Sequence, residues 1–303
     1  MTKGNAFINH HYPGERIISL KATLIVALLL TVALFAGCTS GDGPATPSGE
    51  QGDVRIISIS PGTTEIVFAL GMGDKMVGVT TYCNYPPAAL EVEKVGDVLN
   101  PSVERIVSLK PTLVLGIVDQ SAVAERLTPH GINVHLMNAT SLDGVMDEMA
   151  TIARLTGAGE EGERIVADLR GRIAAVRERT TTLDETARPT VFVEVWDEPL
   201  MSAGPGTFTH DVVISAGGRP ALDLTMPWPN VDAEAVIVAK PQVVLLTHTN
   251  RTIEHLRARP GWNAIPAVKD ERVYLIDPDA VSRPGPRIVD AVEEVADRLH
   301  GNG

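Results

Sequence analysis

Aromatic side chains, cysteines and cations are all scarce in this chain, and each scarcity excludes a class of protein. Only 4% of its residues are aromatic, so a Trp or Tyr in a polar loop stands out from a background of Val, Ile, Leu and Ala. Two widely separated cysteines, Cys38 and Cys83, in 303 residues exclude a disulfide framework and a Cys-x-x-Cys metal or redox site. Lys and Arg total 26 against 38 Asp and Glu, a formal charge of -12. That is the wrong sign for gripping phosphate backbones and argues against a nucleic-acid partner. The Gly-x-x-x-x-Gly-Lys-Ser/Thr loop, the Gly-x-Ser-x-Gly elbow and His-Glu-x-x-His are missing, which argues against the common nucleotide, esterase and metalloprotease chemistries. His130, His135, His210, His248, His255 and His300 lack ligand spacing; they are expected at the surface or as caps, and no metal site is assigned. Cys83 has no general base near it in sequence and reads as an inert or partly buried thiol.

What the chain does have is enough apolar residue, 44%, for one large core or two ordinary ones. Residues 22–36 are apolar except for Thr23 and Thr31, with Lys21, Arg16 and Lys3 upstream, the pattern of an export signal. The run is short of the roughly 20 residues needed to span a bilayer. It ends in Phe35-Ala36-Gly37-Cys38, which is similar to a lipobox, in which the cysteine becomes the acylated new N-terminus. An uncleaved N-terminal anchor is the alternative, and both readings place the rest of the chain outside the cytoplasm. Residues 1–37 are therefore assigned as signal peptide and 38–53, with four Gly, two Pro and no large apolar residue, as a flexible tether.

From Arg55 onward, short β-branched runs alternate with amphipathic segments, which argues for mainly parallel sheets covered by helices. Residues 160–182 break the alternation. They contain no Pro and place Ile165, Leu169, Ile173 and Val176 at helical spacing, a helix about 35 Å long, with Gly162 and Gly171 as its weak points. Beyond it the alternation resumes and repeats an earlier unit. Glu104, Lys110-Pro111 and the apolar run after them return at the same offsets as Glu234, Lys240-Pro241 and their apolar run. The spacing predicts two α/β lobes, residues 54–156 and 187–303, joined by a bridging helix within 157–186, with a cleft between them for a ligand.

Three segments put aromatic and polar groups on stiff backbone: residues 80–87 with Tyr82, Met226-Pro-Trp-Pro-Asn230 with Trp228, and residues 277–287 with Asp279, Arg283 and Arg287. Together with Arg55-Ile-Ile-Ser-Ile-Ser-Pro-Gly-Thr-Thr-Glu65 and residues 104–111, they make residues 54–300 resemble the helical-backbone (class III) substrate-binding lipoproteins of ABC transporters, and among them the cobalamin (vitamin B12) binders. The resemblance implies two Rossmann-like lobes bridged by one long helix that closes only slightly on its ligand. It implies Tyr82 and Trp228 against a corrinoid from opposite lobes, Asp279 and Arg283 beside it, and Trp196 as a further pocket member. Glu104 and Glu234 would dock onto a permease dimer with its ATPase subunits, and two equivalent acids on two equivalent lobes suit a two-fold partner. The chain is expected to be a non-catalytic monomer held at the outer face of the membrane through Cys38, with cobalamin as cargo and no cofactor. A siderophore or haem is the alternative cargo, and an extracytoplasmic enzyme using the Asp279/Arg283 loop is the alternative of another class.

Overall fold

The structure, a computed structural model, describes residues 54–248 and 251–301. The signal segment, Cys38 and the tether lie outside these residues.

In the first lobe four strands, β1 (Ile56–Ser58), β2 (Met76–Val79), β3 (Leu113–Ile117) and β4 (Asn133–Met137), form a parallel sheet in the order β2-β1-β3-β4. These runs form strands because both sheet faces are covered, so consecutive residues can all be apolar. Leu113 and Leu115 enter one core while Val114 enters the other. Helices α1 (Pro61–Ala69), α2 (Val103–Ser108), α3 (Ser121–Leu127) and α4 (Leu142–Thr156) supply the cover.

Helix α5 (Gly159–Thr181) then leads to the second lobe. There β5 (Thr190–Glu194) is followed by a hairpin of β6 (Trp196–Asp197) and β7 (Leu200–Met201), then helix α6 (Phe208–Ser215), β8 (Arg219–Pro220), α7 (Ala233–Ala239), β9 (Val243–Leu246), α8 (Ile253–Ala258), α9 (Pro266–Lys269), β10 (Val273–Leu275), α10 (Pro278–Ser282) and α11 (Ile288–His300). The parallel order is β10-β9-β5-β8. Matching β1, β2, β3 and β4 to β5, β8, β9 and β10 gives the same order in both lobes, so the expected α/β pair is observed and the lobes are topological copies.

The repeated Lys-Pro unit is the same at atomic detail. Lys110 and Lys240 both adopt the left-handed conformation at φ 49°, ending α2 and α7. In each copy the residue after the proline is bonded to the start of the neighbouring strand: Arg55 N donates to Thr112 Oγ1 at 3.0 Å, and Thr190 N donates to Gln242 Oε1 at 2.9 Å. Strand β8 escapes the sequence pattern because it is two residues long and contains Pro220, which is tolerated there since β8 is a sheet edge.

Helix α5 buries Val166, Leu169, Ile173 and Val176 in one cluster shared with α4, α6 and α11. Each such side chain contributes roughly 1.5–3 kcal/mol. Ile165 is only partly buried; Val166 takes the inward position. Gly162 is not a weak point either. It is buried, and a Cβ there would lie 2.1 Å from Ala153 Cβ, so its lack of a side chain lets α4 and α5 cross closely. At the far side Arg172 reaches Asp290 and Glu293 of α11, both at 2.6 Å. The hydrogen bonds from Arg172 hold the Glu293 carboxyl below its ordinary value.

Candidate functional site

All strands of each four-stranded sheet are parallel, so each lobe has one carboxyl edge, where loops leave the strands and where open α/β sheets receive ligands. The loops after β1, β2, β5, β8, β9 and β10 supply the candidate residues. Among the described residues four aromatic side chains are exposed: Tyr82 (60%), Tyr85 (44%), Trp196 (52%) and Trp228 (45%). All four stand on these loops, two per lobe. The other described rings pack inward, Phe192 and Trp262 completely. In a chain so poor in aromatics, this segregation makes the carboxyl edges the candidate binding surface.

The two edges meet at a clamp. Glu65 on α1 is buried, and its carboxylate accepts from Arg287 Nε (2.8 Å) and Nη2 (2.7 Å) and from Arg283 Nη1 (3.0 Å). Arg283 also donates to Asn84 Oδ1 at 2.8 Å and pairs with Asp279 at 2.6 Å, while Arg287 pairs with Asp277 at 3.0 Å and stacks 4.2 Å over the Tyr85 ring. The Glu65 hydrogen bonds raise the Arg287 guanidinium further above its already high value. Beside the clamp, Gly62 lies against Pro284: a Cβ would fall 2.7 Å from the Pro284 carbonyl oxygen, so only glycine allows this approach. Arg283 is thus brought together with Asp279 and the Tyr82 loop, as part of the lobe junction. A groove of about 360 Å³ lies behind it, between Phe68, Tyr85, Leu169 and Arg287.

Trp228 sits on a loop pinned to the β6-β7 hairpin. Ser202 N donates to the Pro229 carbonyl at 3.1 Å and Gly204 N to the Pro227 carbonyl at 2.8 Å. A Cβ at Gly204 would meet the Met226 carbonyl oxygen at 2.1 Å. Trp196 lies on the same hairpin, donates from Nε1 to the Glu198 carbonyl at 3.0 Å, and leans on the His248 ring at 6.0 Å between centroids. Glu104 and Glu234 occupy matching first turns of α2 and α7. Because each helix runs antiparallel to the strand it feeds, both acids stand at the carboxyl-edge level, one per lobe. Both are exposed. The Glu104 carboxyl lies below its ordinary value through backbone and Ser102 hydrogen bonds, with a smaller pull from Arg126.

Sequence reasoning assigned no role to Glu65, although the residue ends a quoted motif, because nothing local announces partners more than two hundred positions away. It also expected His248 at the surface or as a cap. The side chain is instead buried and bonded to Glu194, whereas His255 does serve as a cap, accepting from Thr252 N. Cys83 is a free, buried thiol against the Thr64 and Thr80 hydroxyls.

Two parallel-sheet lobes joined by one packed helix, with exposed rings on the loops of both carboxyl edges, form the architecture of a solute-binding protein. The chain belongs to the periplasmic binding protein family, whose model matches residues 56–280. It is 32% identical to the uncharacterized ABC transporter substrate-binding lipoprotein YvrC of Bacillus subtilis, over 92% of this chain and 97% of that protein. Among solved structures it is similar to the periplasmic vitamin B12-binding protein BtuF of Vibrio cholerae (TM-score 0.69, 30% identity, 81% of this chain and 96% of that one). The periplasmic heme-binding protein RhuT of Roseiflexus sp. RS-1 superimposes as well (TM-score 0.73, 27% identity, 82% and 98%). The function is accordingly that of a substrate-binding protein of an ABC transporter.

Proposed function

We propose that this protein captures cobalamin or a related corrinoid between its lobes and delivers it to a permease dimer powered by ATPase subunits. The observation that carries this reading is the segregation of every exposed described aromatic ring to the carboxyl edges. A large, largely apolar macrocycle is held by flat rings at little entropic cost. Charge supports a corrinoid in particular. Arg251, Arg259, Arg283 and Arg287 are each paired with a carboxylate, which disfavours catecholate or carboxylate siderophores, and amide-bearing corrinoids need no such cations. Tyr82 and Trp228 are the principal contacts in this reading, Trp196 a further one, and Asp279 with Arg283 the polar border. Glu104 and Glu234 dock onto the permease. The protein works as a non-catalytic monomer, lipidated at Cys38 and held at the outer face of the membrane.

Haem is the second reading, supported by the likeness to a haem-binding structure and by the fact that flat rings suit any planar tetrapyrrole. Mass spectrometry of ligand co-purified with the protein decides between them, followed by titration with cobalamin, cobinamide and haem under Trp fluorescence. A corrinoid bound one to one is the expected result. Binding of haem alone replaces the first reading with the second, and binding of none of them overturns both.

A further inference from the structure

We propose that Trp196 is a specificity-determining wall of the cleft, and that His248, held by Glu194 and Arg259, is the positioning residue that fixes its ring. The inference rests on the reading that the cleft receives a macrocycle. It begins with Glu194, the last residue of β5, whose side chain is completely buried. Burying a carboxylate is costly unless it is paired and hydrogen-bonded. Here Arg259 supplies a two-pronged grip, Nη1 to Oε2 at 2.5 Å and Nη2 to Oε1 at 2.8 Å, and His248 Nε2 adds a third contact to Oε1 at 3.0 Å. Arg259 is itself backed by the fully buried Trp262 ring, 4.5 Å from its guanidinium carbon. These hydrogen bonds to Glu194 raise the guanidinium above its ordinary value.

Buried ion pairs of this kind commonly stabilise less than an apolar replacement would. What the arrangement delivers is a rigid imidazole at the mouth of the sheet. The exposed Trp196 indole leans on it at 48°, and the indole N–H is tied to the Glu198 carbonyl. Asp197, the next residue, pairs with Arg251, a second tie between the hairpin and the chain after β9. A large ring that is half in solvent yet held from two sides offers a preorganised flat surface, and preorganisation raises affinity by removing an ordering cost.

The test uses the full-length protein in detergent and the variants Trp196→Ala, His248→Gln and the pair. His248→Gln keeps an N–H that can reach Glu194, so Arg259 stays paired and the fold is retained. Each single change is expected to weaken macrocycle binding by about tenfold, and the double change by no more than either alone, because both remove one unit. Losses that multiply in the double variant overturn the proposal. A ligand-free readout separates this from the functional reading: acrylamide quenching of the Trp196 emission, obtained by difference against Trp196→Phe, should rise in His248→Gln and in Glu194→Gln. Unchanged quenching in both variants overturns the positioning role. If no macrocycle binds the wild type, the functional reading fails, and the quenching measurement still decides whether His248 holds Trp196.

Discussion

Burial divides single residues here into those that hold the lobes together and those whose rings stand in solvent at the carboxyl edges. Trp228 is 45% exposed, so it contributes little to the core and is the residue whose loss tests the proposed contact with the ligand. Trp228→Ala is expected to weaken corrinoid binding by about thirtyfold, a loss near 2 kcal/mol typical of an aromatic anchor, with an unchanged melting temperature; titration calorimetry and a thermal scan measure the two. Glu65 is the opposite case, with a side chain 1% exposed and two arginines on it. Glu65→Ala leaves those guanidinium groups without their common partner and should cost about 3–5 kcal/mol, read from urea denaturation. The exposure of Trp228 was legible in the sequence because flanking prolines and a paucity of rings single it out. Glu65 was not, since its role exists only where α1 meets the loop after β10.

At the scale of elements, α5 joins the lobes without behaving as a free hinge. Its buried stripe belongs to the same core as α4, α6 and α11, and Arg172 ties it to α11 through Asp290 and Glu293. The carboxyl of Glu293 is depressed by hydrogen bonding from Arg172, so its native form binds fewer protons than its unfolded form. The stability this contributes is fully present above the unfolded value near 4.5 and is lost as pH falls through the lower folded value. Glu293→Gln should therefore flatten the fall in stability on acidification below about pH 4.5, measured by denaturant melts at a series of pH values. The helix itself was readable from its periodicity. The close crossing at Gly162 was not, because a glycine that admits a neighbouring helix and one that merely weakens its own look identical in one dimension.

For the whole molecule, the repeated lobes set out the function as geometry. Equal topologies place Glu104 and Glu234 in the exposed first turns of matching helices, α2 and α7, one per lobe. The double variant Glu104→Ala/Glu234→Ala is expected to bind ligand with unchanged affinity and to support no uptake in a transport assay; full uptake would refute the docking role. The exposed rings of the first lobe's loops are tyrosines, Tyr82 and Tyr85, and those of the second lobe's loops are tryptophans, Trp196 and Trp228. The sequence by itself determined the alternating strands and helices, the two-lobe repeat, the bridging helix and the outlying rings. These are properties of local periodicity, of backbone-restricting proline and of composition, all of which act over a few residues. Only the tertiary structure decided that Arg283 and Arg287 close on Glu65, that Gly62 meets Pro284, and that His248 lies on a buried Glu194. Each of those depends on close approach between segments distant in the chain: the first two exist only where the two lobes meet, and the third only once the second lobe has folded.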